Sequence, residues 1–251
     1  MILIVINYKM KTCVIIPCRF DSVRFPGKPL KKLNGKPLLY YPYKAALKSK
    51  NINAVYIATD DLRIKDTCIR LGFNYIMTSR KHPTGSDRVA EAFFKLKKYD
   101  AVINIQGDEP FITSNLINKC YQELKKKNTV AVEAISPINK ASDILNSGVV
   151  KVVINKRVII SASRFPIPYT QNKFTNFNYY RAVGIYGYKK KALKAFQNND
   201  QKYLEKAESV EILRIIENNL KVNYFIGNIK GPAVDTQNDL DEAEKLLQIK
   251  K

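Results

Sequence analysis

Histidine is nearly absent: the 251-residue chain has one, His82. Its cysteines, Cys13, Cys18, Cys68 and Cys120, form no CxxC pair. A structural zinc site needs clustered Cys and His ligands, so this sequence argues against one. Scattered thiols without a disulfide framework suit a reducing compartment, and the expected location is cytoplasmic. No run of 18 apolar residues occurs, so no membrane-spanning helix is expected. The apolar start "MILIVINYKM" has no basic segment ahead of it and no small-residue cleavage site after it, unlike a signal peptide. Met10 offers a second translation start, which would leave the residues before it outside the fold. Both GxxxxGK[ST] and GxGxxG are missing, which removes two common glycine-rich phosphate cradles. Repeats and flexible linkers are also missing, and no DxD follows a buried strand, which weighs against a sugar-nucleotide glycosyltransferase.

Basic residues are plentiful. The formal charge is +21, which raises the alternative of a nucleic-acid-binding protein. Lysines are spread along the whole chain, however, with no basic tail and no block beyond short "KKK" runs. That pattern makes a solvated basic surface that attracts anionic substrates, and no nucleic-acid partner is expected. With 45% apolar residues the chain can bury a sizeable core. One domain over 1–251 is expected, with its core at about 11–247.

Apolar patterning sets the architecture. "TCVIIPC", "AVYIATD", "NYIMTS" and "AVINIQGDEPF" read as strands. Between them, "PLLYYPYKAALKS" reads as a helix with Pro37 in its first turn, and "DLRIKDTCIRLG" as a helix stopped by Gly72. "SDRVAEAFFKLKKY" reads as a third, capped by Ser86. This alternation predicts an α/β fold: a doubly wound, mostly parallel sheet with helices on both faces. Ligands of such sheets sit beyond the carboxyl ends of strands, which here carry Arg19, Asp60 and Asp108. The middle differs: "VKVVINKRVIISASR" predicts a hairpin about Asn155-Lys156, followed by a strand in "RAVGIYGYKK". The sheet is expected to be mixed though mostly parallel, and the stretch over about 130–190 to be an antiparallel, β-rich insertion forming an arm or lobe within the one domain. The end returns to helix ("AESVEILRIIENN"), strand ("KVNYFIGNI") and helix ("TQNDLDEAEKLLQI"), the last capped by Thr236 or Asn238.

Five blocks carry groups capable of chemistry. "PCRFDSVRFPGKPL" sets Arg19, Arg24 and Lys28 in a rigid loop behind a strand: either a basic surface turn or a cradle for a polyphosphate. "QGDEP" places Asp108 after a buried strand, either as an acidic turn or as a carboxylate facing Mg²⁺. Asp235 in "VDTQNDL" is either part of a helix-capping turn or a second metal carboxylate. "HPTGSDR" brings Gly85 and hydroxyls near a base or phosphate, or is surface loop. "SRFPIPY" and "GIYGY" either line a sugar pocket with Arg164 and tyrosines or serve core and dimer packing.

In this order the blocks resemble the 3-deoxy-D-manno-octulosonate (Kdo) cytidylyltransferases, from Lys11 to Leu247. "IIPCRFDSVRFPGKPL", "NGKPLL", "IATDD", "TGSDRVAE", "INIQGDEPFI", "VKVV", "SRFPIPY", "GIYGY", "LEKAESVEILR" and "VDTQNDLDEAE" follow in register. The resemblance implies a nucleotidyltransferase sheet close to the glycosyltransferase A type. It implies transfer of CMP from CTP to an anionic sugar acid, with pyrophosphate released and the product used for lipopolysaccharide or capsule. Mg²⁺ dependence and a homodimer come with it, and the 130–190 segment would bind sugar and pair subunits.

Residue by residue, the resemblance puts Lys28, Arg19 and Asp108 in catalysis. It puts Arg19, Ser22, Arg24, Lys28, Thr84, Gly85, Ser86 and Arg88 on the nucleotide. Gln106, Arg164, Tyr186 and Glu211 fall on the sugar, and Asp108 and Asp235 on Mg²⁺. Three positions depart from the family. Cys18 stands where a small residue is usual. Ala182 replaces a frequent histidine, and Ile212 replaces a glutamine. The last two lie in sugar-associated blocks, so a modified octulosonate such as the 8-amino form, or a nine-carbon acid, remains an alternative substrate.

Overall fold

The structure, a computed structural model, describes residues 10–22, 24–171, 177–198 and 200–248. The segment ahead of Met10 lies outside the described residues. β1 (Thr12–Cys18) is buried along its length except at Pro17. It is flanked on both sides by parallel strands, which explains its unbroken apolar run. β2 (Lys32–Leu33) and β3 (Lys36–Pro37) form a small hairpin. Its turn residues Asn34 and Gly35 both have positive φ, 46° and 77°, the Asn-Gly solution for a two-residue turn. Pro37 therefore belongs to this hairpin rather than to a helix, and α1 (Tyr40–Leu47) starts after it.

β4 (Ala54–Thr59) and α2 (Leu62–Leu71) follow as expected, with Asp61 capping the helix and Gly72 ending it in the left-handed region. β5 (Tyr75–Met77) leads into α3 (Gly85–Leu96). The cap of α3 is Thr84, not Ser86. Thr84 Oγ1 accepts from the Asp87 N–H at 3.3 Å, and Asp87 Oδ2 accepts from the Thr84 N–H at 3.2 Å. β6 (Ala101–Ile105) is wholly buried. Next come α4 (Ser114–Lys125), β7 (Ala131–Pro137) and the short α5 (Ala141–Leu145). The hairpin of β8 (Lys151–Asn155) and β9 (Val158–Ser163) turns at Lys156-Arg157, one residue later than expected. β10 (Tyr180–Lys189) and α6 (Lys190–Leu193) complete the middle.

The helix expected over 207–219 is two helices, α7 (Tyr203–Glu208) and α8 (Ile212–Glu217). Ser209 breaks them apart in a left-handed conformation, φ 52°, and its N–H closes α7 on Glu205 O at 2.8 Å. β11 (Val222–Ile226) and α9 (Gln237–Gln248) end the chain. Thr236 caps α9 in a box with Asp239.

All the long strands join one sheet in the order β5-β4-β1-β6-β10-β7-β11-β9-β8. β5, β4, β1 and β6 pair in parallel, as do β7 and β11, while β10 and β9 run against their neighbours. The β-rich stretch at 130–190 thus supplies β7 to β10 of the main sheet rather than a sheet of its own. β8 also pairs with β10, curling that end of the sheet back on itself. One core lies between the sheet and α1, α2 and α4, and includes Tyr43, Ile64 and Cys120. Another lies under α3, α6 and α8, and includes Phe93, Leu193 and Ile212. A small third core joins Phe25 and Leu33 to Val234, Leu240 and Ala243, so α9 docks on the opening loop. No helix of the described residues is long and apolar enough to cross a membrane.

Candidate active site

The loop after β1 is held by its own backbone. The Gly27 N–H donates to Phe20 O at 2.9 Å, and a 3₁₀ turn over Lys28–Leu30 follows. Gly27 has φ 69°, and a Cβ there would come within 3.0 Å of the Phe20 ring, so glycine is required. The turn projects Lys28 inward. Across the gap, the Val234 N–H donates to Asp108 O at 2.9 Å, tying the turn after β6 to the start of α9. Gly107 lets that turn approach the end of β1: a Cβ there would lie 2.8 Å from Cys18 Sγ.

These supports converge on one ion cluster. The Lys28 ammonium donates to Asp108 Oδ2 and, at 2.8 Å, to Asp235 Oδ1. Arg24 Nη2 sits 3.1 Å from the same Asp235 oxygen. Burial works against the charge on Lys28, but Asp108 and Asp235 outweigh it and hold its pKa above the usual lysine value. Burial likewise works against ionised Asp235, and Lys28 and Arg24 outweigh it and lower its pKa. Two carboxylates that already share a cation have the hard oxygen donors a small divalent ion takes. Among the described residues no group of three or more His, Cys, Asp or Glu gathers to hold a metal.

The cluster lies in the wall of a cavity of about 1180 Å³. Arg19, Ser22, Arg24, Lys28, Thr84, Gly85, Arg88, Gln106, Asp108, Arg164, Tyr186, Glu211 and Asp235 all line it. Arg19 is exposed there. Arg88 is buried and directed to Asp60 at 3.0 Å and to Thr78 Oγ1 at 2.6 Å, so its charge is partly committed. Ser86 departs from expectation: it is fully buried, and its hydroxyl donates to Glu211. It shapes the loop instead of facing the cavity.

On the far wall, Glu211 accepts from the N–H groups of Gly85 at 2.9 Å and Ser86 at 3.0 Å. Burial raises its pKa while these donors oppose the rise. Arg164 is a brace as well as a lining residue. Its Nε, Nη1 and Nη2 donate to Glu208 O, Ser147 O and Ser209 O at 2.9, 2.9 and 3.2 Å. Fully buried Lys151 reinforces the same wall, donating to Asn146 O at 2.9 Å, Val149 O at 2.6 Å and Arg164 O. Ala182 lines the cavity and adds no polar group to it. Ile212 does not line it: the side chain is buried in the core under α3 and α8. A polar partner lost to the ligand at Ile212 is therefore not what this substitution means.

Three features were not anticipated. Glu109 is buried, accepts from the Gly184 N–H at 3.2 Å, and is pushed up to about 7 by burial and by neighbouring Asp108. Arg214, fully buried, forks between Asp87 (2.5 and 3.0 Å) and Glu205 (2.5 and 2.7 Å). Glu133, between Tyr186 and Tyr224 in the strand register, is fully buried with both carboxylate oxygens unpartnered. Asp87, three residues after Thr84 in "TGSD", carries a readable capping-box signal; the other two depend on contacts across the sheet.

The family described as Cytidylyltransferase matches residues 13–222. A 3-deoxy-manno-octulosonate cytidylyltransferase of Thermodesulfovibrio yellowstonii is 40% identical over 252 aligned positions, covering 95% of this chain and 98% of that one. A solved structure titled CMP:2-keto-3-deoxy-manno-octonic acid synthetase complexed with CTP is 33% identical. Its TM-score is 0.88, with 96% of this chain and 100% of that chain covered. A glucose-1-phosphate thymidylyltransferase from Bacillus anthracis, 18% identical with a TM-score of 0.69 and 94% of both chains covered, shares the fold.

Proposed function

From the premise that the chain belongs to the cytidylyltransferase family, and within it to the 3-deoxy-manno-octulosonate cytidylyltransferases, we propose the following division of labour in its cavity. The enzyme transfers CMP from CTP to the anomeric hydroxyl of 3-deoxy-manno-octulosonate, releasing pyrophosphate and supplying lipopolysaccharide synthesis. The sugar hydroxyl oxygen attacks the α-phosphorus in line and forms a new P–O bond. The bond to the β-phosphate oxygen breaks so that pyrophosphate leaves with the electron pair, and the hydroxyl proton passes to water or to the departing pyrophosphate. Little covalent work falls to side chains, so positioning and charge neutralisation dominate.

Lys28 and Arg19 face the triphosphate and offset the charge that builds on it. Arg24 and Ser22 support that end of the cavity, and Thr84, Gly85 and Arg88 border the base, with Ser86 holding their loop from behind. Gln106, Tyr186 and Glu211 border the sugar, and Arg164 fixes the wall they stand on. Asp108 and Asp235 would hold Mg²⁺, which when bound neutralises phosphate charge and makes the sugar hydroxyl more acidic. The observation that carries this reading is the Lys28 ammonium shared by Asp108 and Asp235: triphosphate and metal groups meet at one point.

Free, buried cysteines support a cytoplasmic location. A homodimer is supported by exposed Ile160, Phe165 and Tyr169 on β9 and the segment after it. Ala182 in the cavity wall keeps a modified octulosonate in view as substrate. Pyrophosphate release tests the whole reading, with CTP and Kdo, 8-amino-Kdo or a nine-carbon acid, with and without Mg²⁺. Release is expected from CTP with an octulosonate and only with Mg²⁺. No release with any acid would defeat the enzyme assignment, and release with the nine-carbon acid alone would defeat the octulosonate.

A further inference from the structure

Lys28 stands where its charge is most useful to two different partners. Its ammonium is within hydrogen-bonding reach of both Asp108 and Asp235, and Arg24 adds a second cation to Asp235 at 3.1 Å. Two carboxylates against one ammonium and one guanidinium leave the cluster near neutrality. An incoming dication therefore meets little net attraction, although it meets the right donors. The Lys28, Asp108 and Asp235 side chains are only 15%, 21% and 29% exposed, so water screens their attraction weakly. Among the described residues no third carboxylate or histidine joins to make a metal cage.

We propose that Lys28 occupies the divalent-cation position between Asp108 and Asp235 while the nucleotide is absent. The protein then takes up the metal tightly only after a triphosphate draws the ammonium away. The proposal rests on the reading of those two aspartates as the metal carboxylates and adds the order in which the site is filled. The parts that stay and the part that moves can be told apart. Asp108 and the start of α9 are tied by the Val234 N–H to Asp108 O bond, and Asp235 N and Thr236 N both donate to Asp239 Oδ2, at 3.0 and 2.8 Å. Lys28 reaches the pair through a flexible four-carbon stem, so the ammonium is the group free to leave. A triphosphate offers it more negative charge than two aspartates do. Once it swings over, the carboxylates regain their full attraction for a dication. Linkage requires the converse, that bound metal ion strengthens triphosphate binding by the same factor.

Mn²⁺ alone, titrated by calorimetry and by the loss of its free-ion paramagnetic resonance signal, tests this on the full-length protein without nucleotide. Wild-type protein is expected to bind Mn²⁺ weakly, and Lys28→Met to bind one ion about tenfold or more tightly than wild type. Lys28→Arg keeps the cation and stays weak, and the double variant Lys28→Met/Asp108→Asn loses the gain. Lys28→Ala gives the same comparison if the methionine variant does not fold. Equal Mn²⁺ affinity in wild type and in both uncharged variants overturns the placeholder role while leaving the metal carboxylates intact, provided that Asp108→Asn weakens that binding. If Asp108→Asn alters neither Mn²⁺ binding nor pyrophosphate release from CTP, the underlying metal assignment fails, and the proposal fails with it.

Discussion

The carboxylate of Glu211 accepts the Gly85 N–H at 2.9 Å, across 126 positions of sequence. With the Ser86 N–H at 3.0 Å, it places a carboxylate on the N-terminus of α3, where the helix dipole favours negative charge. A second contact crosses in the opposite sense, from Asp87 in the first turn of α3 to Arg214 in α8. The loop at the start of α3 and the α7–α8 segment are thereby fastened at two points. This can happen only because Ser209 breaks α7 from α8 and frees Glu211 to stand at the start of α8.

The Arg214 cluster is the costlier contact to break. Replacing Arg214 by Met leaves Asp87 and Glu205 buried with no cation between them. Removing one partner from a buried ion pair typically costs about 3–5 kcal/mol. Urea unfolding of Arg214→Met should show a loss of that order, together with a raised KM for CTP because Asp87 also fixes the Thr84 cap. A loss below about 1 kcal/mol would mean that the cluster is not holding the two walls together.

Lys28→Ala should leave the fold intact and lower kcat by about 10²–10³, the usual consequence of removing one preorganised charge contact from a reacting group. Steady-state pyrophosphate release at saturating CTP is the measurement. Near-normal turnover would remove Lys28 from the reaction.

Much of this site is legible in the sequence because its charged groups sit at strand ends, where apolar runs stop abruptly. Arg19 and Asp108 stand just past β1 and β6, as the alternation of strands and helices predicts. Asp235 is different. Its local context reads as a capping turn, and its approach to Lys28 depends on the small core of Phe25, Leu33, Leu240 and Ala243; the family resemblance, not spacing, pointed to it. Ile212 lies in a sugar-associated block, which suggests that it faces the ligand, whereas its position in α8 turns that side chain to the core. Hairpin signals are local and so suggest a lobe over 130–190, while the pairing of β7 with β10 and β11 that puts this stretch in the main sheet is long-range and leaves no local signal.

Ala182 and Ile212 now make opposite predictions. Ala182→His adds a polar side chain to the cavity wall, so it should change the KM for the sugar acid while the KM for CTP stays within about twofold. Ile212→Gln buries an amide where no partner waits, and should cost on the order of 1–3 kcal/mol of stability with no gain in sugar binding. Kinetics with Kdo and 8-amino-Kdo, beside thermal melts of both variants, separate the two effects. A lower sugar KM in Ile212→Gln would contradict its place in the core.

Glu133 sets a pH dependence on the fold itself. Burial, followed by the charge of Glu211, raises its pKa well above the ordinary value of 4.5, and neither oxygen has a partner. The folded protein therefore keeps a proton that the unfolded chain releases above about pH 4.5. By linkage, stability from this group is fully present below that pH and declines as pH rises toward the folded-state pKa. Glu133→Gln keeps the size and a neutral head but cannot titrate. Melting temperatures of the variant and the wild type should lie closest near pH 5 and diverge on going to pH 8.5, with the variant the more stable at the alkaline end. Parallel curves across that range would show that Glu133 is ionised in the folded protein, held by a partner, and not a buried neutral acid behind Tyr186.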